Sequence, residues 1–206
     1  MATVFAQAYE TNAWAGRASR SGSGSEFEQT RTLIAELPAL FRSIGVRSLL
    51  DIPCGDFHWM KQVDLSGIDY VGADVVARIV ERNRDAHRAP NLSFQTLDLA
   101  SDRLPKVDLI LCRDCLVHLS YDDIVRALRN MVASGSTYLL STTFVGRAAN
   151  IDCATGGWRA LNLEEAPFLL PPPLRVVNEK CTENEGIYAD KSLGLWRLND
   201  IGSRIR

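Results

Sequence analysis

The chain has 206 residues, is 46% hydrophobic and 23% charged, and carries a formal net charge of −2. That length suits one domain with a full apolar core, and the composition excludes a disordered or fibrous chain. The small negative balance argues against a surface built to hold nucleic-acid phosphates, and no apolar run is long enough to span a bilayer. No basic–apolar–small signal opens the chain, so the expected compartment is the cytoplasm.

Residues 1–25 read as irregular, and the run "SRSGSGS" at 19–25 is flexible by composition. Ser25 and Glu28 form the S-x-x-E pattern of a capping box, which opens a helix. Leu33, Ile34, Leu37, Leu40, Phe41 and Ile44 then recur at helical spacing. Pro38 is expected to kink or interrupt that helix and Gly45 to end it. Strands and helices alternate from there. "SLLDIP" (48–53) and "DYVGADV" (69–75) read as strands, "VARIVERNRDAHR" (76–88) as an amphipathic helix, and "LSFQTLD" (92–98) as a third strand. "KVDLILCRD" (106–114) is apolar through its middle, as a strand covered on both faces should be. A helix over 120–134 is N-capped by Ser120, and "STYLLSTTF" (136–144) is the fifth strand. Residues 145–173 form a long loop with glycine and proline, and the runs 174–181 and 192–199 pair as an antiparallel hairpin. This order predicts an α/β fold: a Rossmann-like three-layer sandwich around a mostly parallel seven-stranded sheet, with residues 1–206 as one unit.

Five cysteines with no export signal read as reduced thiols. Cys112 and Cys115 form a C-x-x-C, but a closed zinc site needs four ligands and no second cluster follows. They read instead as small apolar residues at a strand end, and no metal is expected.

In an open parallel sheet, ligands sit beyond the carboxyl ends of the strands. Those ends carry Asp51, Cys54, Gly55 and Asp56; then Asp74; then Asp98 and Leu99; then Arg113, Asp114 and His118; then Thr142 and Thr143. Asp74 falls 19 residues after Gly55, the separation at which a carboxylate meets the two ribose hydroxyls of a nucleotide. One strand on, the Asp98 carboxylate suits an exocyclic amine and the Leu99 N–H a ring nitrogen.

The succession "LLDIPCGDF", "YVGADVV", "FQTLDLA" and "DLILCRDCLVHLS" resembles the ordered motifs of the class I S-adenosylmethionine-dependent methyltransferases, over roughly residues 46–144. Members of that family usually show acid-x-Gly-x-Gly-x-Gly in the first loop, whereas this chain has Asp51-x-Pro53-x-Gly55-x-Phe57. The resemblance implies S-adenosylmethionine as cofactor and S-adenosylhomocysteine as product. It implies that Asp51 meets the methionine amino group, that Pro53 and Gly55 lie under the cofactor, and that Asp74 holds the ribose. It further implies that Asp98 and Leu99 hold the adenine, and that Arg113 and Asp114 lie nearest the sulfonium. The cofactor has no phosphate, which relaxes the need for a glycine-rich cradle of N–H donors.

Each residue also has a local reading. Asp51 satisfies a turn, Asp74 caps the helix after it, Asp98 belongs to a turn, and His118 caps or packs. Trp59 and Met60 pack beneath the loop, and Trp158 and Arg159 belong to a lid that only packs. The Ser/Gly run is either a tail or a loop folded over the site, with Arg17 or Arg20 paired to a carboxylate.

A hydroxyl acceptor needs a base, and Asp114 and His118 are the candidates. The stretch "RDCL" lacks the Asp/Asn-Pro-Pro-aromatic signature of base methylation, so a small molecule or glycan is favoured over nucleic acid. Arg147, Asn150, Trp158 and Arg159 are the expected contacts to such an acceptor, with a sugar in view. The rival readings are an NAD-dependent oxidoreductase on the same fold and a non-catalytic cofactor-binding module.

Overall fold

The computed structural model describes residues 1–204. The strands are β1 (Ser48–Asp51), β2 (Asp69–Asp74), β3 (Leu92–Thr96), β4 (Leu109–Cys112), β5 (Tyr138–Phe144), β6 (Arg175–Asn178) and β7 (Lys191–Arg197). They form one sheet in the order β3-β2-β1-β4-β5-β7-β6. The first five are parallel, with Leu50 of β1 in register with Val71 of β2 on one side and Ile110 of β4 on the other. β7 enters antiparallel between β5 and β6. The expected Rossmann-like sheet and closing hairpin are therefore present. Chain order reverses between β1 and β4, the place where such a sheet opens a crevice.

The helices are α1 (Ala2–Thr11), α2 (Phe27–Ser43), α3 (Ala77–Ala86), α4 (Tyr121–Ala133) and α5 (Leu198–Gly202). Alternate strand residues feed two apolar layers, as a period of two requires. Leu49, Leu109, Leu111 and Leu140 pack with Leu33, Leu37 and Phe41 of α2. Leu50, Ile110, Cys112 and Leu139 pack with Ile124, Leu128 and Met131 of α4. Ser120 caps α4 as expected, its Oγ accepting the Asp123 N–H at 3.3 Å.

The N-terminal region departs from expectation in three ways. Residues 1–25 are not irregular: they hold α1 and a single 3-10 turn at Ser23–Ser25. The packing of Phe5 and Tyr9 against Val76 and Ile79 supports α1, and that contact has no signal in the local composition. The capping box does not form. α2 starts after Glu26, the Ser25 hydroxyl points back to the Ser21 carbonyl, and the Glu26 carboxylate accepts the N–H groups of Arg17, Ala18 and Ser19. Pro38 lies inside α2 without ending it, because Leu33, Leu37 and Phe41 on either side are anchored in the core.

Candidate active site

A cavity of about 250 Å³ opens at the carboxyl ends of β1, β2 and β4. The β1 loop forms one wall, with Asp51, Pro53, Gly55 and Asp56. Asp74, Ile79, Leu97 and Leu99 line the next stretch, and Arg113, Asp114 and His118 the far end. Phe144, Trp158 and Lys191 close the opposite side. Residues 21–25, with Met1, Phe5 and Trp14, come over from the N-terminal region.

The loop after β1 has no glycine-rich cradle, and its donors are already taken. Pro53 has no N–H. Those of Cys54, Gly55 and Asp56 go to the Ala73 carbonyl at 2.8 Å, the Asp74 carboxylate at 3.2 Å and the Ser21 hydroxyl at 2.9 Å. Phe57 and His58 donate back to Cys54 and Asp56. No backbone donor of this loop remains for a pyrophosphate, and Asp51, Asp56 and Asp74 line the same part of the cavity. Phe57, at φ 57°, turns inward onto Tyr70 and Phe94, with ring centroids at 5.1 and 5.3 Å. It fills the core where a third glycine would leave space.

Tyr70 in turn donates its hydroxyl to Asp51 Oδ2 at 2.6 Å. Asp51 and Asp74 are only 3% and 5% exposed. Burial pushes Asp51 up to about 7, against the lowering effect of the Tyr70 bond and Arg113. Burial likewise raises Asp74 to about 6, against its bonds from Val76 and Gly55. Both carboxylates cost stability when ionised without a cationic partner. Because folding raises their pKa values, the stability they contribute is present below the ordinary carboxylate range and is lost as pH rises through 6 to 7. Asp51→Asn is therefore expected to melt higher than the parent at pH 8, by the equivalent of a few kcal/mol, with the gap narrowing as pH falls and closing only below about pH 4. Melting temperatures across that range check this; parallel curves for the two proteins would contradict it.

At the far end, three buried charges interlock with the half-buried Asp114. The Arg113 guanidinium donates to Glu179 Oε2 at 2.7 Å and to the Gly24 carbonyl at 2.8 Å, and lies 3.2 Å from Asp114. The Lys191 ammonium donates to Asp114 at 2.7 Å and lies 3.6 Å from Glu179. Although burial opposes ionisation of Asp114, the adjacent Arg113 and Lys191 charges bring it down to about 2. His118 ends the 3-10 turn Leu116–His118 rather than opening a helix. Its Nδ1 is 2.7 Å from the Gly157 carbonyl, which only accepts, so Nδ1 carries the proton and Nε2 is the free base. Burial lowers its pKa, outweighing the Asp114 charge and the Gly157 bond, so the imidazole is neutral at pH 7.

Of the residues singled out in the sequence, Asp51, Pro53, Gly55, Asp74, Leu99, Arg113, Asp114, His118 and Trp158 line this cavity. Asp98, Arg147, Asn150 and Arg159 do not. The Asp98 carboxylate accepts the Ala100 N–H in a turn, and Leu97 takes the place on the wall. Arg147 pairs with Asp190, Asn150 ties the loop to Asn162 and Ala166, and Arg159 donates to the Leu116 carbonyl. These three brace the 145–173 loop: Asn150 satisfies carbonyls within it, and Arg147 and Arg159 tie it to neighbouring segments. Arg17 lies outside the cavity, and Arg20 donates instead to carbonyls of Tyr9 and Glu10. Lys191 and Glu179 went unnoticed in the sequence, since their partners are 77 and 66 residues away. Among the described residues no group of His, Cys, Asp and Glu could hold a metal, and no helix is long and apolar enough to cross a membrane.

A family described as a methyltransferase domain matches residues 49–134. No curated protein sequence matches the chain significantly. Among solved structures, magnesium protoporphyrin IX methyltransferase from Synechocystis, with bound SAH, aligns at a TM-score of 0.59 and 14% identity. That alignment covers 95% of this chain and 94% of that one. The N-methyltransferase NodS from Bradyrhizobium japonicum aligns at 0.59 and 16% identity, over 84% and 98% of the two chains. Human N-acetylserotonin methyltransferase, in complex with SAM, aligns at 0.57 and 13% identity, over 93% of this chain and 65% of that one. The chain thus spans about two thirds of the human enzyme and nearly all of the other two. At these identities the likeness establishes the fold.

Proposed function

We propose, from the match of residues 49–134 to a methyltransferase-domain family, that the chain is a class I S-adenosylmethionine-dependent methyltransferase that methylates a hydroxyl of a small molecule, with His118 as base. The observation that carries the proposal is the pairing of two ends in one cavity. One end has buried carboxylates and a β1 loop with no free backbone donor for a pyrophosphate; the other has a neutral histidine with Nε2 free.

The residue set fits the cofactor. Asp51 suits its ammonium group and Asp74 its ribose hydroxyls, while Leu97 and Leu99 give the adenine an apolar seat. When bound, the cofactor supplies a methyl group already activated on a sulfonium, so the chain's task is alignment, exclusion of water and removal of one proton. Phe5, Trp14, Phe144 and Trp158 supply flat apolar walls at the acceptor end. They suit the face of a sugar or of another ring. The fork donors expected to read a sugar's hydroxyls brace the loop instead, so the support now favours a ring with few polar groups. Residues 1–25 and 145–173 both supply walls, which favours residues 1–206 as one working unit. The five free cysteines favour a reducing compartment, the cytoplasm.

Thermal-shift titration tests the reading. S-adenosylhomocysteine at a hundred times its Kd is expected to stabilise the protein by about 2.7 kcal/mol, with no shift from NAD at the same concentration. A shift from NAD alone reverses the reading in favour of the oxidoreductase. Methyl transfer from labelled cofactor into fractionated small-molecule extract then separates an enzyme from a binding module.

A further inference from the structure

Ser19–Ser25 crosses the mouth of the cavity and is fastened at both ends. At one end stands Asp56, the residue after Gly55. Its carboxylate accepts the Ser19 hydroxyl at 2.9 Å, the Ser21 hydroxyl at 3.1 Å and the Arg20 N–H at 2.9 Å. Its own N–H donates to the Ser21 hydroxyl. At the other end Ser23 donates to Glu183 at 2.6 Å, and Arg113 donates to the Gly24 carbonyl. The fit is close: a Cβ at Gly55 would lie 2.2 Å from Ser21 Oγ, and Gly55 sits at φ 52°. The glycine that the sequence offers as the cofactor's close approach is thus also required by this segment. The segment leads back to Trp14 and α1, and Trp14 and Phe5 pack on the His118 ring at 5.7 and 6.5 Å.

We propose that Asp56 is a positioning residue that latches the Ser19–Ser25 strap onto the cofactor loop, so that one contact both retains the cofactor and assembles the wall around His118. Asp56 also lines the cavity wall and accepts the His58 N–H, but most of the donors on its carboxylate come from the strap, through which it acts. Opening this latch frees the strap from Gly55 and uncovers the cofactor edge of the cavity. The proposal rests on the cavity being the S-adenosylmethionine site.

The test uses S-adenosylhomocysteine with the parent, Asp56→Ala and Ser21→Ala. Ser21→Ala removes the strap's hydroxyl and its two bonds to Asp56 while keeping every side chain of the cofactor loop, and decides the matter if Asp56→Ala does not fold. Ligand dissociation is followed by rapid mixing, and trypsin cleavage after Arg17 and Arg20, both exposed, with and without ligand. Asp56→Ala is expected to release ligand about tenfold faster, a modest loss for a carboxylate with several donors. Ligand is expected to slow strap cleavage in the parent and not in Asp56→Ala, with Ser21→Ala between the two. Equal dissociation rates in all three proteins, or equal protection in parent and Asp56→Ala, overturn the latch while leaving the cofactor site standing. Failure of the parent to bind S-adenosylhomocysteine overturns the cofactor reading and the latch with it.

Discussion

Asp74→Ala is expected to abolish S-adenosylhomocysteine binding at any concentration reached in calorimetry. The carboxylate sits at the end of β2, buried, with one oxygen accepting the Val76 N–H at 2.9 Å and the other the Gly55 N–H. Each oxygen has a second lone pair, and the cavity lies in front of them. Removing the group takes away the acceptors for two hydroxyls and leaves the Gly55 N–H without a partner. Two hydrogen bonds to a charged group are together worth about 3–6 kcal/mol, or roughly two to four decades in Kd. The variant should keep its fold, because Asp74 stands at a strand end and the apolar layers do not depend on it. Far-UV circular dichroism checks that. A folded Asp74→Ala protein that binds as tightly as the parent would reduce Asp74 to the helix-capping role that its position before α3 also permits.

The strand and helix order was legible in the sequence because each element carries its own period. Leu49 and Leu50 point to opposite faces whatever lies beyond them, and Ile124, Leu128 and Met131 make a stripe on any helix. The strand-end carboxylates were legible too, because Asp51 and Asp74 are fixed by the strands that precede them. What escaped depends on contacts between distant segments. α1 has a single buried residue, Tyr9, and owes its place to Val76 and Ile79. Asp98 and Asp74 look alike in sequence, each at the end of a strand. Only the turn at Ala100 and Asp102 takes Asp98 out of the cavity. Arg147, Asn150 and Arg159 have the chemistry of a polar-ligand site, yet they fasten a long loop: Asn150 to the loop's own carbonyls, Arg147 to Asp190 and Ile187, and Arg159 to Leu116. Lys191 opens an apolar strand and gives no local hint that it will lie against Asp114.

That last contact separates the two candidate bases, and His118→Ala is the second variant with a large expected effect. Asp114 is adjacent to both Arg113 and Lys191, and its pKa near 2 makes it a weak proton acceptor at pH 7. His118 is neutral there, with Nδ1–H fixed on Gly157 and Nε2 open, and an imidazole is far better matched to the pH at which it works. With any acceptor that the parent turns over, His118→Ala is expected to lower kcat by about two to four decades, the range of one general base. The Kd for S-adenosylhomocysteine should change by no more than about threefold, since the cofactor end of the cavity is untouched. The pH profile gives an independent sign. Burial holds the histidine below its ordinary value, so kcat of the parent should fall only when pH drops below about 6.5, as Nε2 takes up a proton. His118→Ala should lose that limb. A variant with the parent's kcat, or with the same acid limb, would return His118 to packing against Phe5 and Trp14 and leave the base unassigned.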